Sequence, residues 1–550
     1  MDFSCLTKLC RRQAQNGDKV RSVSVVSGFF FMINFVVGTG FLSVPYAFYK
    51  AGVISGAVTL IVLSFISWNT ANYIVETMAR AQALENWKND RLHSKEADNM
   101  KDNPPLDNDP KVVHPDFTIR MDRKFELAEL CQIFYGVPVK YLYMICLSII
   151  LLMGCWSCTT VAGTAWSTNI PFNFGSLEQC PDGAFKGHIF PNHPHGCIDS
   201  YRFSVMIFAL IVIPLSLLEL TDQKYLQVLL GLMRFFTVIC IVVFCVAKLI
   251  TDPHGNAGHN YNNTKYDYGH ELFKFDYAGW LLSIPVFVYG QILHMSIPSL
   301  TQPIKAKQWL RAFFAAVFAC TTLLYTSLGL LVSLWFKGYV QETCTLNFVT
   351  PAHHSSSTAL RVMSYYIIIF PSLDVSSAFP LINVTIANNL FILIMGVDTS
   401  QASNVRYGRL VKMSLRVVCA VIPITAALFT TNLVFIVKYG GILGLTMCYF
   451  FPIALQLKSQ YKCYLVFGGS GNQKVQDEQS YSGSHASDDQ QQPLLLRQAI
   501  REDTKRHPWW YNPAYSTQYA TVLSHPVSVV VFTVLSSIAC GLAIASLVGS

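Results

Sequence analysis

The chain alternates long apolar runs with short polar ones, and the apolar runs have the length of membrane spans, about 20 residues each. In order they are Val23–Phe48, Val53–Met78, Val139–Trp166, Phe203–Leu218, Leu229–Ile250, Trp280–Leu300, Ala312–Phe336, Met363–Gly396, Leu415–Leu433, Val437–Leu457 and Pro526–Val548. The pattern predicts an all-α polytopic membrane protein with about eleven transmembrane helices. The polar stretch from Arg80 to Lys124, with LHSKEADNMKDNPPLDNDP inside it, predicts a disordered loop. Phe125 to Gly136, FELAELCQIFYG, predicts a short amphipathic helix at the membrane surface. Residues 458–525, with GGSGNQKVQDEQSYSGSHASDDQQQ, predict a second disordered segment before the last span. The plan is a short N-terminal segment over 1–22, a membrane core over 23–457, the polar segment 458–525 and a final helix over 526–548.

Two spans break the pattern from within. The first contains INFVVGTGFLSVPYAF, with Gly38-Thr39-Gly40 at mid-depth and Pro45 just after. Each glycine weakens a helix by about 1 kcal/mol against alanine, and the proline removes a donor and crowds the turn before it. The sixth, GWLLSIPVFVYGQILHMSIPSL, contains Pro285, then Tyr289-Gly290-Gln291, then Pro298. Non-helical backbone at membrane depth is tolerated where it is buried in protein or lines a polar cavity. The two breaks fall five spans apart, so the core reads as a 5+5 inverted repeat with broken helices one and six, spans one to five and six to ten being the repeats. An unwound stretch presents free N–H groups on one side and free C=O groups on the other. The first suits a carboxylate and the second an ammonium or a small cation, so a broken helix can read both charges of an amino acid.

Composition agrees: 52% of the residues are hydrophobic and 13% charged, against roughly a quarter charged in soluble domains. Mean hydropathy is +0.37. The net charge of +8 does not imply nucleic acid, because the Lys and Arg residues sit in short loops between spans. Lys8, Arg11, Arg12, Lys19 and Arg21 precede span one. Lys305, Lys307 and Arg311 follow span six, and Arg406, Arg409, Lys412 and Arg416 follow span eight. The positive-inside rule puts that side, and the N-terminus, in the cytosol. MDFSCLTKLCRRQAQ has no signal-peptide core, so span one is expected to insert the chain and stay. Of 16 cysteines, Cys180, Cys197 and Cys344 fall in far-side loops, where disulfides persist. Cys180–Cys197 is the simplest bridge, and one from either to Cys344 is the rival. Asn262-Asn263-Thr264 is a glycosylation sequon on the same side, whereas Asn383-Val384-Thr385 lies within span eight.

NFVVGTGFLSVPYAFYKAG resembles the first helix of the amino acid/auxin permease family, within the amino acid–polyamine–organocation superfamily. TQPI after span six and FPSLDVSSAFPLINVTIANNLF in span eight are similar to that family as well. With the long second loop and the ETMARAQALENWK ending of span two, the resemblance within the family is to the transmembrane protein 104 group. It covers nearly the whole membrane region and is specific at spans one, six and eight. It implies eleven spans, the inverted-repeat fold and amino acid transport driven by a proton or sodium gradient. It also implies that spans one, two, six and seven move together against the rest.

The candidate substrate-binding residues are Asn34, Val37, Gly38, Thr39 and Gly40 in span one, and Tyr289, Gly290 and Gln291 in span six. The competing readings are small-residue helix packing for the first set and a proline-kinked helix for the second. Candidate ion-coupling residues are Asp374, Ser376 and Ser377 in span eight and His294 in span six. An intramembrane carboxylate is costly and is a functional hypothesis by default. Asp374 is expected either to carry a coupling proton or hold Na⁺, or to face water or pair with a Lys or Arg. His294 reads as a proton relay or as an interior hydrogen-bonded residue. Arg234 reads as snorkelling to the interface, and Glu76 and Glu219 as interfacial. Cys155-Trp156-Ser157-Cys158 has redox spacing without a redox context. The His188, His193, His195 and Cys197 group matches no strong metal pattern, so no metal is expected.

No phosphate-binding Walker loop, zinc-protease helix or nucleophile elbow occurs, which argues against an ATP-driven pump or a membrane hydrolase, and no cofactor is expected. In the polar segment before the last span, Asn512-Pro513-Ala514-Tyr515 and Tyr519-Ala520-Thr521-Val522 resemble tyrosine-type sorting signals read by clathrin adaptors. They point to an endosomal or lysosomal membrane over permanent residence in the plasma membrane, the alternative. The functional expectation is a secondary active transporter of amino acids or similar small zwitterions, coupled to H⁺ or Na⁺. The alternatives are an amino acid sensor or a membrane scaffold with little transport.

Overall fold

The computed structural model describes residues 25–99, 117–119, 125–169, 195–217, 224–251, 273–302, 304, 306–337, 340–349, 357–396, 407–467, 512 and 514–548. The first span is split into α1 (Val25–Val36), a 3-10 turn (Thr39–Leu42) and α2 (Val44–Ala51). Then come α3 (Val53–Asn99), the short α4 (Leu127–Tyr135), α5 (Val137–Asn169), α6 (His195–Leu217) and α7 (Lys224–Thr251). The sixth span is split into α8 (Tyr277–Gly290), a 3-10 turn (His294–Ser296) and α9 (Ile297–Thr301). The rest are α10 (Leu310–Phe336), α11 (Thr358–Met395), α12 (Gly408–Phe429), α13 (Leu433–Leu445), α14 (Phe451–Phe467) and α15 (Pro526–Val548). A π-helical turn, Thr446–Phe450, joins α13 to α14.

Ten helices among the described residues are long and apolar enough to cross a membrane. The broken first span is the eleventh. The sixth span follows five crossings, so it enters the membrane from the side opposite to the first, and both opening spans are broken: this is the inverted-repeat plan. The outer faces are apolar, with Leu210 74% and Leu323 73% exposed, surface that lipid must cover.

The core forms where the halves meet. Helices α2 and α8 pack against each other, α13 packs on α8, and α5 runs along α11. Close approach is built from glycine. At Gly441 of α13, a Cβ would stand 1.9 Å from Pro285 O of α8, so no side chain fits between these two helices.

Two expected loops differ. Span two does not end at Met78: α3 continues as helix to Asn99, and Arg80, at the expected start of the disordered loop, is fully buried. Residues 458–467 extend the tenth span as helix α14, and Phe467 packs edge-on against Trp87 of α3 and Phe117. The later part of the expected disordered segment is also docked. Tyr73 donates to Leu523 O at 2.8 Å and Gln460 donates to Ser524 O at 2.7 Å. A charge count marks these stretches as polar, but their polar groups find partners on other helices. The short α4 forms as expected, burying Leu127, Leu130, Cys131 and Phe134.

Candidate functional site

The two breaks meet backbone to backbone. A Cβ on Gly40 would lie 2.7 Å from the Cα of Gly290 and 3.4 Å from the Tyr289 ring. Only glycine at position 40 lets the first span touch the sixth. The hydroxyl of Tyr325 on α10 lies 3.1 Å from Val36 O and 2.8 Å from Gly290 O. Those are the last carbonyl of α1 and the last of α8, so one buried phenol shares its proton between the ends of both broken helices.

Three hydroxyls line the other side. Ser157 of α5 donates to Gly154 O at 2.8 Å, and its oxygen lies 3.0 Å from Thr39 Oγ1 and 3.2 Å from Tyr289 Oη. With its own proton committed, Ser157 accepts from both neighbours. The remaining lone pairs of Thr39 and Tyr289 are therefore acceptors, as a bound ammonium would require. The 3-10 turn at Thr39 has no side-chain cap at Gly38, so its leading N–H groups are available to an anion. There is space at this level: a Cβ on Gly38 would meet only Phe35 O, at 3.8 Å. Val37 is fully buried in the core, so it packs behind the break. Asn34 lies within α1 and its side chain is outside the described set.

Gln291 and His294 face away from this space, toward α3 and the π-helical turn. Gln291 Oε1 accepts from Ser67 at 3.3 Å, and Ser67 also meets Tyr449 Oη at 3.2 Å. His294 is fully buried, its Nε2 lying 3.1 Å from Ser67 O and 2.9 Å from Thr70 Oγ1. A carbonyl only accepts, so Nε2 of the neutral ring carries the proton and Nδ1 is left bare. Neither Gln291 Nε2 nor His294 Nδ1 has a hydrogen-bond partner among the described residues.

In span eight the pairing alternative for Asp374 is the one seen. Arg234 of α7 is not snorkelling. Its Nε and Nη2 each donate to Asp374 of α11 at 2.8 Å, one to each carboxylate oxygen, in a buried bidentate pair. Asp374 is thus already neutralised by a side chain. Ser376 and Ser377 donate to carbonyls of their own helix, at Ser372 and Asp374. Glu76 is not interfacial either. It is fully buried, accepting from Arg80 at 2.7 Å, from Gln456 at 2.8 Å and from Ser524.

The sorting-signal reading also changes. Tyr519 is 3% exposed, and the Tyr515 carbonyl accepts from Arg80 Nε at 2.8 Å. Burial pushes the Tyr519 phenol up to about 12. Adaptors read an extended, exposed tyrosine, and these are packed into the protein. Asn512 closes a local turn with Ser516, and Pro513 lies outside the described residues. So do Cys180 and Asn262, together with the side chain of Cys197 and the His188–His195 group. Cys344 is a buried free thiol among the described residues. Cys155 and Cys158 are free as well. No cluster of metal-binding side chains occurs among the described residues.

Comparison with known proteins fits this architecture. The family model described as "Transmembrane amino acid transporter protein" matches residues 21–462. The chain belongs to that family. Among its relatives, the Transmembrane protein 104 homolog of Drosophila melanogaster is 24% identical over 80% of this chain and 89% of its own length. Transmembrane protein 104 of Homo sapiens is 26% identical over 66% of this chain and 73% of its own. The homolog of Dictyostelium discoideum is 22% identical over 79% and 88%. The resemblance read from spans one, six and eight therefore stands. A crystal structure of MhsT in complex with L-phenylalanine aligns over 93% of this chain and 98% of that one, at 11% identity and a TM-score of 0.45.

Proposed function

We propose that this protein is a secondary transporter of amino acids or similar small zwitterions, coupled to protons. One observation carries the reading: the paired breaks set the uncapped backbone of Gly38–Gly40 beside the hydroxyls of Thr39 and Tyr289. Those are complementary to a carboxylate and an ammonium on one carbon. Gly40 on Gly290 and the shared Tyr325 proton tie the two breaks together, so they open and close as a unit.

Protons are favoured over sodium by the state of the polar groups. Hard cations need several oxygen ligands. Asp374 has its charge taken by Arg234, which leaves span eight no uncompensated carboxylate for such a cation. His294, by contrast, holds a bare buried Nδ1 on the unwound part of the sixth span. A proton arriving there would charge a ring held by α3 through Thr70 and Ser67, and so would load the moving part of the break directly.

The test is a thermal-shift screen of purified protein against the common amino acids, at two pH values, with and without Na⁺. A ligand at a hundredfold over its dissociation constant stabilises by about 2.7 kcal/mol. Gly38→Val should abolish the shift by filling the space beside Thr39. Uptake into proteoliposomes should then follow an imposed pH gradient and ignore a Na⁺ gradient. If no amino acid stabilises the protein, the substrate reading fails. Uptake that needs Na⁺ would overturn the coupling.

A further inference from the structure

We propose that the groove between α3 and α10 binds one anionic phospholipid, with an acyl chain along the groove and the headgroup phosphate on Arg311. The groove holds about 450 Å³ on the outer face of the bundle. Ile61, Phe65 and Leu323 form its rims, and Ala315 and Ala319 leave the depression between them. Its polar floor is internally satisfied. Thr322 donates to Phe318 O at 2.7 Å and lies 2.6 Å from Ser64 Oγ, which in turn lies 3.3 Å from Phe318 O. What remains for an occupant is apolar. From Ala315 to Thr326 the groove runs about 16 Å along α10 at helical rise, close to the depth of one leaflet.

The headgroup argument is independent of the groove. Arg311 sits at its mouth, half-buried, with its guanidinium 5.3 Å from the Trp68 ring centroid. Trp68 Nε1 donates to Arg311 O at 3.2 Å, which fixes the pair. Among the described residues the guanidinium has no carboxylate partner. The Glu76 charge reaches it, but Glu76 is spent on Arg80, Gln456 and Ser524. Lys307, one turn earlier, is spent too, donating to Thr301 O and Gln302 O. A fixed planar cation at the end of an acyl-sized groove is matched by a lipid phosphate without a compensating choline. Because α3 and α10 both border the broken spans, such a lipid would rest on helices next to the site.

The experiment uses the full chain, delipidated in detergent, with lipid binding read by native mass spectrometry and thermal shift, and needs no transport substrate. Phosphatidylglycerol should be retained at one molecule per chain and raise the melting temperature more than phosphatidylcholine. Arg311→Gln should weaken phosphatidylglycerol roughly tenfold, the scale of one charge-assisted hydrogen bond, and leave phosphatidylcholine unchanged. Ala319→Leu, at an exposed position, should reduce both lipids by filling the groove, and it tests the site even if Arg311→Gln is poorly folded. Equal affinity for the two lipids in the native protein would overturn the proposal, as would an undiminished preference in Arg311→Gln. Stabilisation by glycerol phosphate alone to the same extent would overturn the lipid assignment, because the groove would then contribute nothing.

Discussion

Replacing Arg80 by methionine should be among the most damaging single changes in the protein. Arg80 is fully buried and makes four hydrogen bonds: Nε to Tyr515 O at 2.8 Å, Nη1 to Gln456 Oε1 at 2.7 Å and Ser459 Oγ at 3.1 Å, and Nη2 to Glu76 Oε2 at 2.7 Å. Without it, Glu76 remains as an uncompensated charge with no access to water. Breaking such a pair from one side costs about 3–5 kcal/mol. Removing both charges, in Glu76→Leu with Arg80→Met, leaves Gln456 and Ser524 short of partners, about 1–3 kcal/mol. The double variant should therefore be more stable than the Arg80 single variant, although it loses more hydrogen bonds. Thermal unfolding of the purified protein measures the order of the three proteins. Limited proteolysis measures where the loss falls, and new cleavage within residues 512–524 is expected in Arg80→Met. If the single variant melts with the native protein, or below neither it nor the double variant, the pair is not buried as described and the argument fails.

Other outcomes follow from the same geometry. Gly40→Ala forces the breaks apart at a 2.7 Å contact and should abolish amino acid stabilisation, with about 1–3 kcal/mol lost in the unliganded protein. Tyr325→Phe withdraws the proton shared by Val36 O and Gly290 O; about 1–3 kcal/mol lower stability is expected in thermal unfolding. Arg234→Ala should cost about 3–5 kcal/mol by stranding Asp374, and Arg234→Ala with Asp374→Ala should recover part of it, which a double-mutant cycle would read. His294→Gln should keep amino acid binding in the thermal-shift assay yet lose the dependence of uptake on a pH gradient.

The spans were legible because a membrane crossing needs about twenty apolar residues whatever its neighbours. The breaks were legible because Gly38-Thr39-Gly40 in span one, and Gly290 with Pro298 in span six, contradict a helix locally, whereas Pro285 sits inside α8. What closes the site was not. Ser157 reads as an ordinary helix serine inside a cysteine pair, and Tyr325 as one aromatic among many on α10. Their aim depends on how each helix is rotated, and nothing local records that. Arg80 illustrates the opposite error. Its charge marks a loop boundary to any local reading, and only residues 376 to 435 positions later bury it. Arg234 and Asp374 were each visible as intramembrane charges, but their pairing across 140 positions was one of several open options.

The Glu76–Arg80 pair has a bearing on how the chain is made. The two residues lie one helical turn apart, so α3 can enter the bilayer carrying a neutralised pair before anything else exists to receive it. Ser524, the last of its partners, is synthesised 448 residues after Glu76. At ordinary translation rates that is a wait of about 20–90 s. During that interval the rest of the carboxylate and the guanidinium must be served by water, lipid headgroups or an attendant protein. The helix is born self-neutral but unfinished, and its completion by the segment before α15 marks the point at which the newborn chain no longer needs an escort at this end.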